Sequence, residues 1–270
     1  VTSVFFGGGT PSLMEPETLD AILHAIDQTW GLPAGIEISM EANPASSDAD
    51  RFKAYAQAGV NRASLGVQAL NDEDLRFLGR LHTVDEALRA IDLARVSFAR
   101  MSFDLLYARP KQTAAQWEAE LRRALGYAAA HLSLYQMTIE DGTPYKSLYE
   151  AGRLVLPDDD LAADLYALTQ TVTDELGLPV YEISNHAAPG AQSRHNLTYW
   201  RYGDYVGIWP GAHGRLTLEN GEKIATVAER HPESWADLVS QQGHGMTTQS
   251  MLTTREQADE MLVMGRRSSV

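Results

Sequence analysis

Apolar and polar positions follow two alternating rhythms along the first half of this chain. Compact runs with strand character, at residues 4–6, 36–42, 62–68, 101–107 and 131–139, are each followed by a stretch whose apolar residues recur every three or four positions. Leu19, Ile22, Leu23, Ile26 and Trp30 form the first helical stripe, stopped by Gly31 and Pro33, and Gly59 stops a second over residues 49–58. Asn71 followed by Asp72, Glu73 and Asp74 reads as an N-cap with an acidic first turn, carrying Leu75 and Leu78. Thr83 with Glu86, and Thr113 with Gln116, are capping boxes that open helices bearing Leu88, Ile91 and Leu93, and Trp117, Leu121 and Leu125.

Strand–helix units repeating every 25 to 35 residues or so predict an α/β fold built on parallel strands. Two observations favour a partial parallel (βα) barrel. The polar residues within the strands, Glu41, Gln68, Asp104 and Gln136, fall near strand C-terminal ends, where barrel enzymes gather their sites. No loop carries a dinucleotide fingerprint, which an open doubly wound sheet, the alternative, would often show.

Past Gly142-Thr143-Pro144 the rhythm changes. A long helix over 157–176, a strand at 179–184 and a loop lead to the densest polar-aromatic segment, His195-Asn196-Leu197-Thr198-Tyr199-Trp200, and then to a glycine-rich strand at 205–213. A small, mainly helical C-terminal module follows, with Trp235 and Leu238 on one helix and Ala258, Met261 and Leu262 on another. The expected organisation is a barrel over 1–150, an extension over 151–215 and the helical module over 216–270. The chain opens directly on an apolar strand and closes, at 266–270, within a helical pattern, which reads as a piece of a longer protein.

Charge narrows the partners. Lys plus Arg number 22 against 36 Asp plus Glu, a net charge of −14, so the chain lacks the basic field that nucleic acid or anionic lipid would require. No apolar run is long enough to span a membrane and no export leader is seen, so a cytoplasmic protein is expected. Cysteine is absent, which excludes disulfides, thiolate metal ligands and cysteine nucleophiles within these 270 residues.

The candidate chemistry lies in two places. The strand Val4-Phe5-Phe6 runs into Gly7-Gly8-Gly9-Thr10-Pro11; glycines let backbone N–H groups approach a ligand, although a plain tight turn has the same sequence signature. Glu41, Gln68, Arg80 and Asp104 converging above that loop would suit a polar ligand with an amine, a carboxylate and hydroxyls; the bland reading pairs the carboxylates with arginines such as Arg62 or Arg80. Among His82, His131, His186, His195 and His213 no zinc-type spacing occurs, and no metal site is expected. His195, beside Asn196, Tyr199 and Trp200, is the imidazole placed among rings that a flat iron macrocycle would need.

GGGTPSL, EANP, NRASLGVQALNDEDLRFLGRLH, SFDLLYARPKQT, HLSLYQMTIEDGTPY, YEISNHA, HNLTYWRYGDYVGI and GAHGR, in that order, resemble the HemW family of radical S-adenosylmethionine heme chaperones. That family is itself similar to the oxygen-independent coproporphyrinogen III oxidases. The resemblance implies a partial barrel of the radical S-adenosylmethionine type, with Gly8, Gly9 and Thr10 at the methionine amine, Glu41 and Gln68 lining the site, Arg80 at the carboxylate and Asp104 on the ribose hydroxyls. It further implies heme bound through the HNxxYW residues His195, Asn196, Tyr199 and Trp200, trafficked to an acceptor protein that a membrane could carry. The family's C-x-x-x-C-x-x-C loop, ligand of a [4Fe-4S] cluster, would precede Val1. Trp209 stands where the family usually has a small glycine, so the indole is expected either to crowd the sheet or to mark an error in the sequence. Two functional alternatives stay open, an oxygen-independent coproporphyrinogen III oxidase converting two propionates to vinyls, and a barrel fragment without cofactor.

Overall fold

The computed structural model describes residues 1–266; residues 267–270, read above as the end of a helix, lie outside the described residues. The chain divides into two compact units, Val1–Gln192 and Ser193–Val270, whereas the sequence reading set its boundaries at 150 and 215.

The first unit begins β1 (Ser3–Phe6), α1 (Pro16–Trp30), β2 (Glu37–Ala42), α2 (Ala49–Ala58), β3 (Arg62–Gln68), α3 (Asp72–Phe77), α4 (Val84–Ser97), β4 (Arg100–Tyr107), α5 (Ala114–Leu125) and β5 (His131–Gln136). It continues with α6 (Pro144–Glu150), α7 (Asp159–Glu175) and the short strands β6 (Val180–Glu182) and β7 (Asn185–Ala187). Both capping boxes are present, on α4 and α5. The sheet order is β1-β2-β3-β4-β5-β7-β6, with β1 to β5 parallel and β7 antiparallel to its neighbours. A strand order that never reverses leaves right-handed crossovers only one face on which to stack helices, so the sheet curls. The result is a half-barrel.

Strand side chains alternate between faces, and each face has its own chemistry. Ile38 and Met40, Ala63 and Leu65, Met101 and Phe103, and Leu132 and Leu134 join Leu19, Phe52, Ile91, Trp117 and Leu165 from the helices in one apolar core. The opposite, concave face is polar, with Glu37, Ser39 and Glu41 on β2, Arg62 and Ser64 on β3, Arg100, Ser102 and Asp104 on β4, and His131 and Ser133 on β5. At its N-terminal end Glu37, 1% exposed, meets Arg100 at 3.0 Å and Arg62 at 3.6 Å. Those arginines also donate to the carbonyls of Gln192 and Ala191, so the bottom of the half-barrel is closed by charge while its top stays open.

The second unit contains α8 (Arg194–Trp200), β8 (His213–Thr217), β9 (Lys223–Ala228), α9 (Pro232–Gln242), β10 (Met246–Met251) and α10 (Thr254–Gly265). Besides its helices it therefore holds a three-stranded antiparallel sheet, β10-β9-β8, absent from the sequence reading. Residues 205–212 are not the expected strand either. Gly207 comes so close to β8 that a Cβ there would lie 2.2 Å from the His213 carbonyl oxygen, leaving the single bridge Tyr205↔Arg215. The glycines serve a backbone crossing, and the strand begins only at His213. In the first unit, the strand expected at 179–184 is the short β6, which turns directly into β7 as a tight hairpin, and the fifth strand ends at Gln136.

Candidate cofactor site

A cavity of about 240 Å³ opens at the C-terminal ends of the strands of the first unit. Gly9, Thr10, Glu41, Gln68, Arg80 and Asp104, six of the seven residues expected at the S-adenosylmethionine site, line it. The seventh, Gly8, donates its backbone N–H to Glu41 Oε2 at 3.3 Å, tying the glycine loop to the end of β2.

The loop is built by backbone geometry. Gly8 and Gly9 have φ of 83° and 59°, where L side chains are strained, and an added Cβ at either would meet nothing within 4 Å. Open space over a left-handed turn lets a ligand approach the loop's backbone closely, although the Gly8 N–H is already given to Glu41. Gly7 is restricted differently, since a Cβ there would lie 2.6 Å from the Phe5 ring.

Gln68 reaches the cavity through a distorted strand end. The β3–β4 ladder passes from Leu65↔Phe103 to Gln68↔Leu105 through a register shift, and Gln68 takes φ 73°. A left-handed non-glycine residue costs on the order of 1–3 kcal/mol, strain that gathers at functional sites.

The electrostatics favour a cation or a hydroxyl donor. Burial, and then the neighbouring Glu41 charge, push the Asp104 carboxyl up to about 7, against the opposing pull of Ser133, Ser64 and Arg80. Glu41 is also raised by burial, opposed by the Gly8 N–H. Two carboxylates with depressed acidity gain by receiving an amine or a diol in place of water.

Sequence reasoning missed Asn43, Ser64 and Gly66, which also line the cavity. The signal was there at period two, since Ser64, Ser102 and Ser133 share faces with Arg62, Asp104 and His131. It also missed Arg109, 3% exposed, which binds Glu120 and lies 3.0 Å from Asp74 Oδ2, joining α5 to α3. Gln136 lies outside this cavity, in a shallower groove with Asp159 and Tyr166.

In the second unit the HNxxYW residues do form a helix. Ser193 caps α8 by accepting from the Asn196 N–H at 3.3 Å. One turn apart, His195 and Tyr199 meet edge to face, ring centres 4.8 Å apart, and Tyr199 meets Tyr205 at 4.4 Å. Burial lowers the His195 imidazole to about 4, keeping it neutral. Asn196 and Trp200 fall one position further round, on a helical face of their own. Trp209 crowds no sheet, being 56% exposed with its ring 6.0 Å from that of Trp235.

The other histidines are accounted for in part. His82 contacts the Val67 carbonyl, His131 the Tyr181 hydroxyl at 2.8 Å, and the buried His186 has no hydrogen-bond partner on either ring nitrogen. Among the described residues no group of three His, Cys, Asp or Glu could hold a metal ion, and no helix is long and apolar enough to cross a membrane.

Comparison with known proteins bears on the same residues. Residues 1–124 match the model of the Radical SAM superfamily. The mouse protein named radical S-adenosyl methionine domain-containing protein 1, mitochondrial, is 43% identical over 100% of this chain and 62% of its own length. The heme chaperone HemW of Bacillus subtilis is 33% identical over 99% of the chain and 70% of its own length. The structure of Escherichia coli coproporphyrinogen III oxidase HemN, a radical SAM enzyme, is 19% identical and shares the fold with a TM-score of 0.78 over 98% of this chain and 62% of that one. The chain thus spans about 62% of the mouse relative. With that identity sustained along 70% of a HemW's length on a matching half-barrel, the chain belongs to the HemW and RSAD1 family of radical SAM proteins.

Proposed function

We propose that the cavity of the first unit binds S-adenosylmethionine and that α8 of the second contributes to binding heme, in a protein that hands heme to an acceptor. The observation that carries the reading is the convergence of Gly9, Thr10, Glu41, Gln68, Arg80 and Asp104 on one cavity. Backbone carbonyl oxygens of the glycine loop and the Glu41 carboxylate would accept from the methionine amine, Arg80 would hold its carboxylate, and Asp104 the ribose hydroxyls. These roles orient the ligand and exclude water from its charged end.

Bound at an iron–sulfur cluster, this cofactor supplies one-electron chemistry in radical SAM proteins. The residues of this chain do not fit such a cluster, since none of the 270 is cysteine. The reading carries a cytoplasmic setting with it, whereas the mouse relative is named as mitochondrial.

The test is equilibrium binding. Calorimetry with S-adenosylmethionine should give saturable binding that Asp104→Asn weakens, and heme titration should give a Soret band that His195→Ala alters. Absence of both from the folded chain would overturn the proposal.

A further inference from the structure

We infer that His82 is a positioning residue for the cavity, one imidazole hydrogen bond setting Gln68 and Arg80 together. The inference rests on the S-adenosylmethionine reading above.

Val67 lies in the irregular stretch of β3, between the paired residues Leu65 and Gln68. Its carbonyl faces the His82 ring, with Nε2 at 3.0 Å. A carbonyl can only accept, so Nε2 carries the proton and the imidazole is the Nε2–H tautomer. His82 Nδ1 is buried without a hydrogen-bond partner, which fits the unprotonated nitrogen of that tautomer better than a second N–H donor. The Val67 carbonyl and the Gln68 nitrogen belong to one peptide plane. The bond from His82 therefore fixes the plane about which Gln68 takes its φ of 73°, and with it the direction in which that side chain leaves the strand.

The other end of the bond governs Arg80. Residues 79–82 join α3 to the N-cap of α4. Gly79, φ 69°, and the Arg80 N–H bonded to the Leu75 carbonyl at 2.8 Å close α3, and the Thr83 capping box opens α4. Between those caps Leu81 is 93% exposed, whereas His82 is 3% exposed. His82 is the buried anchor of this segment, two residues from Arg80. One hydrogen bond thus holds the amide donor and the guanidinium to the same rim.

Two measurements separate this role from general stability. In the ligand-free chain, long-range 1H–15N spectra of the imidazole should show Nε2 protonated and Nδ1 bare; the opposite tautomer would overturn the inference and leave the cavity reading intact. In calorimetry, His82→Leu should weaken S-adenosylmethionine binding on the order of tenfold, the worth of a lost hydrogen bond, while 5′-methylthioadenosine, which has no carboxylate, is affected far less. His82→Gln, whose amide can donate in place of Nε2–H, should recover most of the loss. In an Arg80→Ala background the His82→Leu penalty should shrink. Equal weakening for both ligands, no rescue by glutamine, or full additivity with Arg80→Ala would reduce His82 to a core residue. If the unaltered chain binds neither ligand, the S-adenosylmethionine reading fails and this inference with it.

Discussion

Ser64 donates its hydroxyl to Asp104 Oδ1 at 3.4 Å while accepting from Ser102 Oγ at 3.2 Å. That short chain on the concave face is scant compensation for a carboxylate that is buried and, in addition, stands beside Glu41. Asp104 therefore keeps its proton up to about pH 7 in the folded chain, against an ordinary carboxylate value of 3.8. The sign follows from linkage: between those values the folded state binds a proton that the unfolded state has lost, so this residue's contribution to stability falls as pH rises from about 4 to 7.

Replacing Asp104 by asparagine should remove that penalty. Asp104→Asn is expected to raise stability at pH 8 by on the order of 1–4 kcal/mol, with the gain vanishing near pH 4, as read from urea unfolding across pH. The same change should weaken S-adenosylmethionine binding by about 1.5–3 kcal/mol, the worth of a hydrogen bond to a charged group. A stability gain paired with a binding loss marks a residue kept for its ligand. No pH-dependent gain would mean that Asp104 is ionised in the folded chain.

The glycine loop gives a second expectation. Gly9→Val places a β-branched residue at φ 59°, a conformation costing roughly 1–2 kcal/mol, and adds bulk on the cavity rim. Melting should show a loss of that order, and calorimetry should show S-adenosylmethionine binding abolished. Gly7→Ala should act on the fold instead, because its Cβ would press on the Phe5 ring at 2.6 Å. Undiminished binding in Gly9→Val would take the loop out of the site.

What the sequence made legible follows from distance along the chain. Strands β1 to β5 and their helices could be read because each apolar run and each capping box is local, and the barrel followed from polar residues at strand ends. The serines of the concave face were harder. Ser64, Ser102 and Ser133 are unremarkable in their own strands and acquire meaning only when the sheet sets them beside Asp104. His82 was named only among candidate histidines and Arg109 not at all, because their partners Val67, Asp74 and Glu120 lie on other elements. The β8–β9 hairpin was a different failure. Asn220-Gly221 sits at its turn, Gly221 with φ 85°, and the alternating burial of β9 follows at once.

Reconstitution tests the third expectation. Treated anaerobically with iron and sulfide, this cysteine-free chain should develop no [4Fe-4S] absorption, and with reductant it should release no 5′-deoxyadenosine from S-adenosylmethionine. The reason is the donor set, because the cluster is held by thiolates and none is available. A cluster band from the purified chain would mean that other donors can replace them.

The last expectation concerns His195. Its ring stands edge-on to Tyr199 at 4.8 Å, and Tyr199 in turn contacts Tyr205 at 4.4 Å, so one imidazole and two phenol rings form a continuous row in the second unit. Burial holds the imidazole near 4, so it is neutral throughout the physiological range, the state in which a ring nitrogen can ligate iron. A structural row would use the same contacts, and the two roles part on titration with heme. His195→Ala should weaken binding about tenfold or shift the Soret maximum, since an axial ligand or a pocket wall is lost. Tyr199→Ala should weaken binding without moving the maximum, because it removes an aromatic wall and no ligand. If all three proteins titrate alike while remaining folded, the row is packing, and the heme reading loses the residues that carry it.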